Sequence, residues 1–298
     1  MDIIGRCTKS RSDSPPDQHR GGEEIPEDRP MKNRSETSPG RGLPTTSRYL
    51  IAASGGKHWH ADHSLQRIVV LGDSYSKSSN GEKTWVDHFV QHLRDANQSP
   101  QIYNLAFPGA TAQDDLAGQV SRLLALLTQE ENDQPNVNSS LHPDRSTYFV
   151  FMGINDCGSN DIYDLESIVE AIDDAIHILY VKAGARNFVL IDVPPINRSP
   201  QATNAGMSEE IDERVKKWNE LLRGQIAEFG TSSREATTFL FSSHQVLSDV
   251  MDNPDKYDLA EDDPETGGGG IWEDDLHLAA EVHGVLADCL LKALRVQH

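Results

Sequence analysis

The chain has 298 residues and a formal net charge of −20, and 37% of its residues are hydrophobic, which is enough for one domain with a substantial core. Residues 1–66 contain ten Lys or Arg and nine Asp or Glu, so the net negative charge of the chain lies in residues 67–298. An acidic domain of this kind repels phosphate polymers and anionic lipid headgroups. Nucleic acid is therefore excluded as an expected partner, and neutral or cationic small molecules are favoured.

Residues 1–66 are predicted to form a disordered N-terminal tail. This segment has six prolines among Ser, Arg, Glu and Gly, and it shows no sustained apolar periodicity. Such a composition buries too little apolar surface to offset the entropy lost on ordering. We therefore expect one folded domain at residues 67–298.

The chain as written is expected to be cytoplasmic. It has no apolar run long enough to cross a membrane, and Ile3 and Ile4 are followed at once by polar residues rather than by the core of a secretion signal. Secretion is expected only if the true start of the protein differs from the written one. Cys7, Cys157 and Cys289 imply no disulfide framework.

Predicted strands and helices alternate along the domain. Apolar and β-branched residues predict strands at 67–71, 101–106, 147–152, 187–193 and 237–241. Helical spacing of apolar residues begins at Trp85, Val120, Leu165, Ile211 and Leu278. This order predicts an α/β fold with a parallel sheet covered by helices on both faces and ligands bound at the carboxyl ends of the strands.

An irregular acidic stretch at residues 249–275 separates the last predicted strand from the last helix. It contains four consecutive glycines at 267–270. Long loops in compact domains often have a function, and the glycines make this one flexible. A mobile rim or lid over a site and a plain surface insertion are both open interpretations.

Three predicted strands end in residues suited to acyl chemistry. Ser74, a nucleophile candidate, follows the first strand, although Gly-Asp-Ser strings are also common in ordinary turns. Gly109 follows the second strand and Asn155 follows the third. The backbone N–H groups of Ser74 and Gly109 and the side-chain amide of Asn155 are candidates for an oxyanion hole.

A base and an orienting acid are available just before the last helix. Asp274 and His277 are three residues apart, which would place them on one face of a helical turn. Asp274 can hold the tautomer of the imidazole while the other ring nitrogen faces Ser74. An Asp-x-x-His pair is also common as a simple surface pair. The interpretation of this pair as a catalytic acid and base therefore depends on its position after the last predicted strand.

Other histidines and one cysteine are alternative candidates. His58, His60 and His63 have a spacing compatible with a metal ion, but no Cys or carboxylate framework supports such a site. His244 follows the fifth strand and is a distant second choice as base. His283, on the last helix, is expected to be a surface histidine or a hydrogen-bonded core histidine. Cys157 is not expected to act as the nucleophile, because no separate histidine is positioned to activate it.

Four blocks in this order resemble the GDSL esterase and lipase family, also called SGNH hydrolases. They are the pentapeptide at residues 72–76, Gly109, the tetrapeptide at residues 153–156, and Asp274 with His277. The resemblance spans residues 67–298. It implies a flavodoxin-like three-layer α/β/α fold with five parallel strands.

The same resemblance assigns roles to individual residues. Ser74 looks like the nucleophile, His277 the base and Asp274 its partner, with Ser74, Gly109 and Asn155 forming the oxyanion hole. It implies neither a metal nor another cofactor. The surrounding residues are most similar to microbial, especially fungal, carbohydrate acetylesterases. Two features depart from that narrower pattern: Leu278 follows the histidine where proline is common, and no secretion signal is present.

The expected function is a serine esterase that removes short acyl groups, with acetyl favoured, from neutral hydroxylated compounds such as acylated carbohydrates. A longer-chain lipase or lysophospholipase is the first alternative, and it needs an apolar groove near Ser74. An inactive esterase-like binding protein is the second, and the intact set of blocks argues against it.

Overall fold

A computed structural model of the chain describes residues 47–133 and 141–297. The six strands of these residues are β1 (Leu50–Ser54), β2 (Arg67–Gly72), β3 (Gln101–Asn104), β4 (Ser146–Phe151), β5 (Asn187–Ile191) and β6 (Thr237–Phe241). They form one sheet in the order β1-β6-β5-β4-β2-β3. The five strands predicted from sequence are parallel to one another, and β1 is antiparallel to its neighbour β6.

Eight α-helices lie in the described residues. They are α1 (Trp85–Asp95), α2 (Leu116–Asp133), α3 (Ile154–Ser159), α4 (Leu165–Lys182), α5 (Pro200–Ala205), α6 (Ser208–Ser232), α7 (Ser243–Asp252) and α8 (Ala280–Arg295). In these parts of the chain, none of the helices combines the length and the apolar character needed to cross a membrane.

The helices cover both faces of the sheet. Consecutive residues of a strand point to opposite faces, and on β4 the ring of Phe149 lies 5.5 Å from that of Trp85 on α1. The preceding residue, Tyr148, shares the other face with Phe188, whose ring lies 5.5 Å from Phe229 on α6. Helix α1 packs against α8, while α4 packs against both α2 and α6. The predicted three-layer α/β/α fold is therefore confirmed.

The sixth strand corrects the predicted number of strands and the predicted end of the tail. Strand β1 pairs with β6, and its neighbour Tyr49 and its first residue Leu50 are buried. Residues 47–66 thus belong to the folded domain, which begins before residue 67. A five-residue strand is too short to show a clear apolar pattern within a polar segment. Much of its stabilisation comes from pairing with β6, which the local sequence does not show. Residues 1–46 of the predicted tail lie outside the described residues.

Glycine is required where β4 turns into α3. Gly153 has φ +118°, which is left-handed, and a Cβ at this position would overlap the ring of Trp218 on α6. The close approach of α6 fixes the start of α3. Asn155 therefore lies in the first turn of a helix that is packed against the core.

The long loop before α8 is more structured than the sequence predicts. Helix α7 extends to Asp252, so the stretch predicted as irregular from residue 249 begins inside a helix. Asp263 accepts the N–H of Gly270 at 2.8 Å, and the indole N–H of Trp272 donates to the carbonyl of Pro264 at 2.9 Å. These bonds fold the glycine run back onto the preceding turn, and the buried Trp272 anchors the segment that carries Asp274.

Candidate active site

Ser74 lies in the turn after β2, at the carboxyl edge of the sheet where open α/β folds bind ligands. Gly72 makes this turn possible, because a Cβ there would lie 2.7 Å from Ser76 Oγ and 2.9 Å from the carbonyl of Phe151. The buried Gln119 on α2 accepts the N–H of Gly72 at 2.9 Å and donates to its carbonyl at 2.8 Å. The strand end that carries the candidate nucleophile is thus held by side-chain as well as backbone contacts.

His277 connects Ser74 with Asp274. Its Nε2 lies 3.0 Å from Ser74 Oγ, and its Nδ1 lies 2.7 Å from Asp274 Oδ2. An ionised carboxylate only accepts hydrogen bonds, so Nδ1 carries the proton and Nε2 can accept the serine hydroxyl. The structure therefore brings together the three residues predicted as a triad.

Asp274 and His277 lie in a bend rather than in the expected helical turn. Asp274 Oδ1 accepts the N–H of Leu276 at 2.8 Å and of His277 at 2.7 Å. Partial burial acts to raise the pKa of Asp274, but these two N–H groups and the His277 ring hold the pKa below its ordinary value. The carboxylate stays ionised at neutral pH, which suits it to stabilise an imidazolium.

Tyr75 connects the turn that carries Ser74 to the segment that carries His277. It follows Ser74 in the chain, is fully buried, and donates a 2.8 Å hydrogen bond from its hydroxyl to the carbonyl of Leu276. Its ring centroid lies 6.4 Å from that of His277. Nothing in the sequence marks Tyr75 for a role, because a tyrosine beside a strand is indistinguishable from a core residue.

Tyr75→Phe should lower kcat by about tenfold and leave KM nearly unchanged. The substitution keeps the packing of the ring but removes the bond to Leu276, which relaxes the alignment of serine and histidine without touching the substrate. Steady-state kinetics with a short-chain nitrophenyl ester measure both constants. Tyr103→Phe, which removes a hydroxyl bonded to Glu130, is the matched control and should leave kcat unchanged. A rise in KM alone would show that Tyr75 does not align the pair.

The groups predicted to bind an oxyanion lie on three segments: the turn after β2, the loop after β3 and the first turn of α3. Gly109 has φ +79°, and the space where a Cβ would stand is open. Within the described residues, the N–H groups of Ser74 and Gly109 donate to no protein acceptor. Asn155 donates one amide hydrogen to the carbonyl of Ala110 at 2.9 Å, which leaves the second hydrogen for a ligand. All three donors remain available to a developing negative charge.

Asp156 fixes the loop that carries Gly109, a role that no pattern in the sequence indicates. Its carboxylate accepts the N–H of Ala112 at 3.0 and 3.1 Å and of Gln113 at 3.2 Å, and the side chain is fully buried. Burial raises the pKa of Asp156, and the two N–H groups oppose that rise. The loop after β3 and the start of α3 are therefore held in one arrangement.

Asp73, immediately before the serine, is a second buried carboxyl. Its Oδ1 accepts the N–H of Tyr75 at 2.9 Å, and its Oδ2 has no hydrogen-bond partner among the described residues. Burial raises the pKa of Asp73 to about 7; the Tyr75 N–H opposes this rise and the Asp156 carboxylate adds to it. The neutral carboxyl is favoured because an ionised group would lose its hydration in the interior.

Asp73 should make the protein less stable as the pH rises. Its pKa is higher in the folded state than in the unfolded state, so its contribution is full near pH 4 and is lost as the pH approaches about 7. Asp73→Asn removes this titration. Urea unfolding should show the variant gaining ~4 kcal/mol relative to the wild-type protein over this range, with no further change above it. A difference that stays constant with pH would contradict a raised pKa.

His58, His60 and His63, the candidate metal ligands, precede β2, whereas Ser74 follows it. His58 is hydrogen-bonded to Asp144, and the rings of His60 and His63 lie 6.4 Å apart. In residues 47–133 and 141–297, no three His, Cys, Asp or Glu side chains are grouped as metal ligands.

His244 and His283, the other two histidines named from the sequence, make no hydrogen bond to Ser74 in the described structure. Asp192 accepts the backbone N–H of His244 at 2.9 Å at the start of α7. His283 is buried against Tyr75, and burial together with two neighbouring histidines lowers the pKa of its ring to about 3. His283 is therefore neutral at physiological pH.

The two cysteines in the described residues offer no competing nucleophile. Cys157 and Cys289 are both free. Burial raises the pKa of the Cys157 thiol well above its ordinary value, so the thiol is protonated at neutral pH. Cys7 lies outside the described residues, and the absence of a disulfide framework there stays a prediction.

A small cleft lies beside Ser74 and His277. Its volume is about 70 Å³, and residues from the segments 78–84 and 273–278, with His283, form its walls. We call it the serine cleft. A larger cleft of about 820 Å³ lies at the amino ends of β2 and β3 and includes neither Ser74 nor His277. The candidate site is therefore identified by the residues that line the cleft and not by the volume of the cleft.

Comparison with known proteins identifies the family of the chain. A family model described as GDSL-like Lipase/Acylhydrolase matches residues 68–290. The chain is 26% identical over 304 residues to an acetylesterase of Thermothelomyces thermophilus, covering 85% of this chain and 98% of that protein. It is 23% identical over 227 residues to the thermolabile hemolysin of Vibrio parahaemolyticus serotype O3:K6, covering 67% of this chain and 52% of the hemolysin.

Two solved structures are similar to the chain. A protein of Parabacteroides merdae described as a GDSL-like lipase superposes with a TM-score of 0.50 at 14% identity, covering 78% of this chain and 96% of that one. The acetylxylan esterase Axe2 of Geobacillus stearothermophilus gives a TM-score of 0.47 at 14% identity, with coverages of 79% and 96%. Because the family model spans more than half of its length, the chain belongs to the GDSL-like lipase/acylhydrolase family and is a carboxylic ester hydrolase.

Proposed function

We propose that the protein is a serine esterase that removes short acyl groups, acetyl above all, from neutral hydroxylated compounds. The observation that carries the proposal is the continuous series of hydrogen bonds from Asp274 through His277 to Ser74 Oγ, with lengths of 2.7 and 3.0 Å. These distances suit proton transfer from the hydroxyl to the imidazole.

In the first step, Ser74 Oγ attacks the carbonyl carbon of the ester, and the hydroxyl proton passes to His277 Nε2. The carbonyl oxygen becomes an oxyanion, which the N–H groups of Ser74 and Gly109 and the amide of Asn155 stabilise. Each such donor typically contributes about 3 kcal/mol to lowering the barrier. Asp274 stabilises the imidazolium that forms.

The alcohol then leaves. The bond between the carbonyl carbon and the alcohol oxygen breaks, His277 Nε2 gives its proton to that oxygen, and Ser74 remains acylated. A water molecule attacks the acyl carbon and passes a proton to His277. Release of the carboxylic acid returns that proton to Ser74 Oγ and restores the starting state.

Three observations support this substrate class. Most of the side chains that line the serine cleft carry hydroxyl, amide, carboxylate or ammonium groups, which suits a hydroxylated alcohol. The net charge of −20 disfavours anionic substrates. The similarity to an acetylesterase along 85% of the chain points to the same acyl group.

A series of nitrophenyl esters from acetyl to palmitoyl tests this function. We expect kcat/KM to be highest for acetyl and to fall steadily beyond butyryl. A preference for chains of ten or more carbons would favour a longer-chain lipase instead. Absence of hydrolysis across the series in folded protein would favour an esterase-like binding protein.

A further inference from the structure

The serine cleft lies on the side of Ser74 where the alcohol must leave. His277 Nε2 returns its proton to the alcohol oxygen, so that oxygen has to lie within hydrogen-bond reach of His277. His277 lines the cleft, while Gly109 and Asn155, the expected neighbours of the carbonyl oxygen, do not. The cleft is therefore placed to hold the alcohol part of the ester.

Asn80 and Glu273 meet at this cleft from its two walls. Asn80 lies on the segment that follows the nucleophile, and its Nδ2 donates a hydrogen bond to Glu273 Oε1 beside the histidine segment. Asn80 Oδ1 accepts the N–H of Glu82 at 3.0 Å and the hydroxyl of Ser78, which orients the amide. The Glu273 N–H pairs with the carbonyl of His277 at 2.8 Å, so its backbone is fixed as well.

The pair has hydrogen-bonding capacity beyond its own contact. The Asn80 amide has a second N–H, and the Glu273 carboxylate has further lone pairs. A hydroxyl group donates one hydrogen bond and accepts others, so it can bind both residues together. A carboxylate that has lost part of its hydration favours a ligand that supplies such a donor.

We propose that Asn80 and Glu273 form a subsite for a hydroxyl group of the leaving alcohol, so that the enzyme prefers esters of polyhydroxylated, sugar-like alcohols. The preference rests on the proposed function, because the subsite acts on the alcohol that Ser74 displaces. It is a binding role, separate from proton transfer by His277.

Two acetyl esters with matched shapes test the subsite. Glucose acetylated at its primary hydroxyl keeps its other hydroxyl groups, whereas cyclohexylmethyl acetate has the same acyl group and a ring without hydroxyls. In Glu273→Leu and in Asn80→Ala, kcat/KM for the sugar ester should fall by roughly 10- to 100-fold, mainly through KM. For cyclohexylmethyl acetate it should change by less than about threefold.

Glu281→Leu is the matched control, because Glu281 is exposed on α8 and does not line the cleft. It should leave both rates nearly unchanged. Equal losses with the two esters, or no loss with the sugar ester, would overturn the subsite while the esterase function stands. If the wild-type protein cleaves neither these esters nor nitrophenyl acetate, the proposed function fails and the subsite fails with it.

Discussion

Replacing Ser74 with alanine should lower kcat for nitrophenyl acetate by at least ~10³-fold. The alanine has no oxygen to attack the ester, and His277, 3.0 Å from Ser74 Oγ in the wild-type protein, loses the group whose proton it accepts. Residual hydrolysis should reflect only the oxyanion donors and substrate binding, which the substitution leaves in place. Steady-state kinetics with purified protein measure the loss.

The control for this variant is Ser99→Ala, at an exposed serine after α1 that lies outside the serine cleft. It should retain wild-type kcat and KM. Circular dichroism should give the same spectrum for both variants. Retention of more than about a tenth of the activity in Ser74→Ala would mean that another group attacks the ester.

His277→Gln should lower kcat by a similar factor of at least ~10³. Glutamine keeps a polar side chain near Ser74, but it cannot accept and return a proton at neutral pH, so neither the attack nor the departure of the alcohol is assisted. Steady-state kinetics with nitrophenyl acetate at neutral pH measure the loss.

His244→Gln provides the comparison, because His244 was the second choice as base from the sequence. The structure places it at the start of α7, where Asp192 binds its backbone, and it makes no hydrogen bond to Ser74. This variant should keep nearly full activity. If His244→Gln lost activity and His277→Gln kept it, the assignment of the base would be reversed.

The parallel sheet was predictable because apolar strands and amphipathic helices alternate at ordinary lengths. Strand β1 was not, since its five residues carry little pattern and its partner β6 lies far along the chain. Helix α7 was also missed, although Ser242 caps its N-terminus by accepting the N–H of Gln245 at 3.1 Å. Serine before a polar residue is too common to mark a helix start by itself.

The candidate nucleophile, base and amide donor could be found from the sequence, because Ser74, His277 and Asn155 have distinctive side chains in segments that follow predicted strands. The residues that hold them in place could not. Tyr75 and Asp156 act through contacts with segments distant in sequence, Leu276 and the loop at Ala112. Gln119, which holds the end of β2, is a residue that the sequence could have indicated. It is a polar residue on the apolar face of α2, next to Val120 and in line with Leu116 and Leu123.

The central claim is that Ser74 is the nucleophile and that His277 activates it. A fluorophosphonate that reacts with activated serines tests this directly when the full chain is labelled, digested and analysed by mass spectrometry. The account predicts one phosphonyl adduct, on Ser74, and at least a hundredfold slower labelling in His277→Gln. An adduct on another residue, or active protein that never becomes labelled, would contradict it.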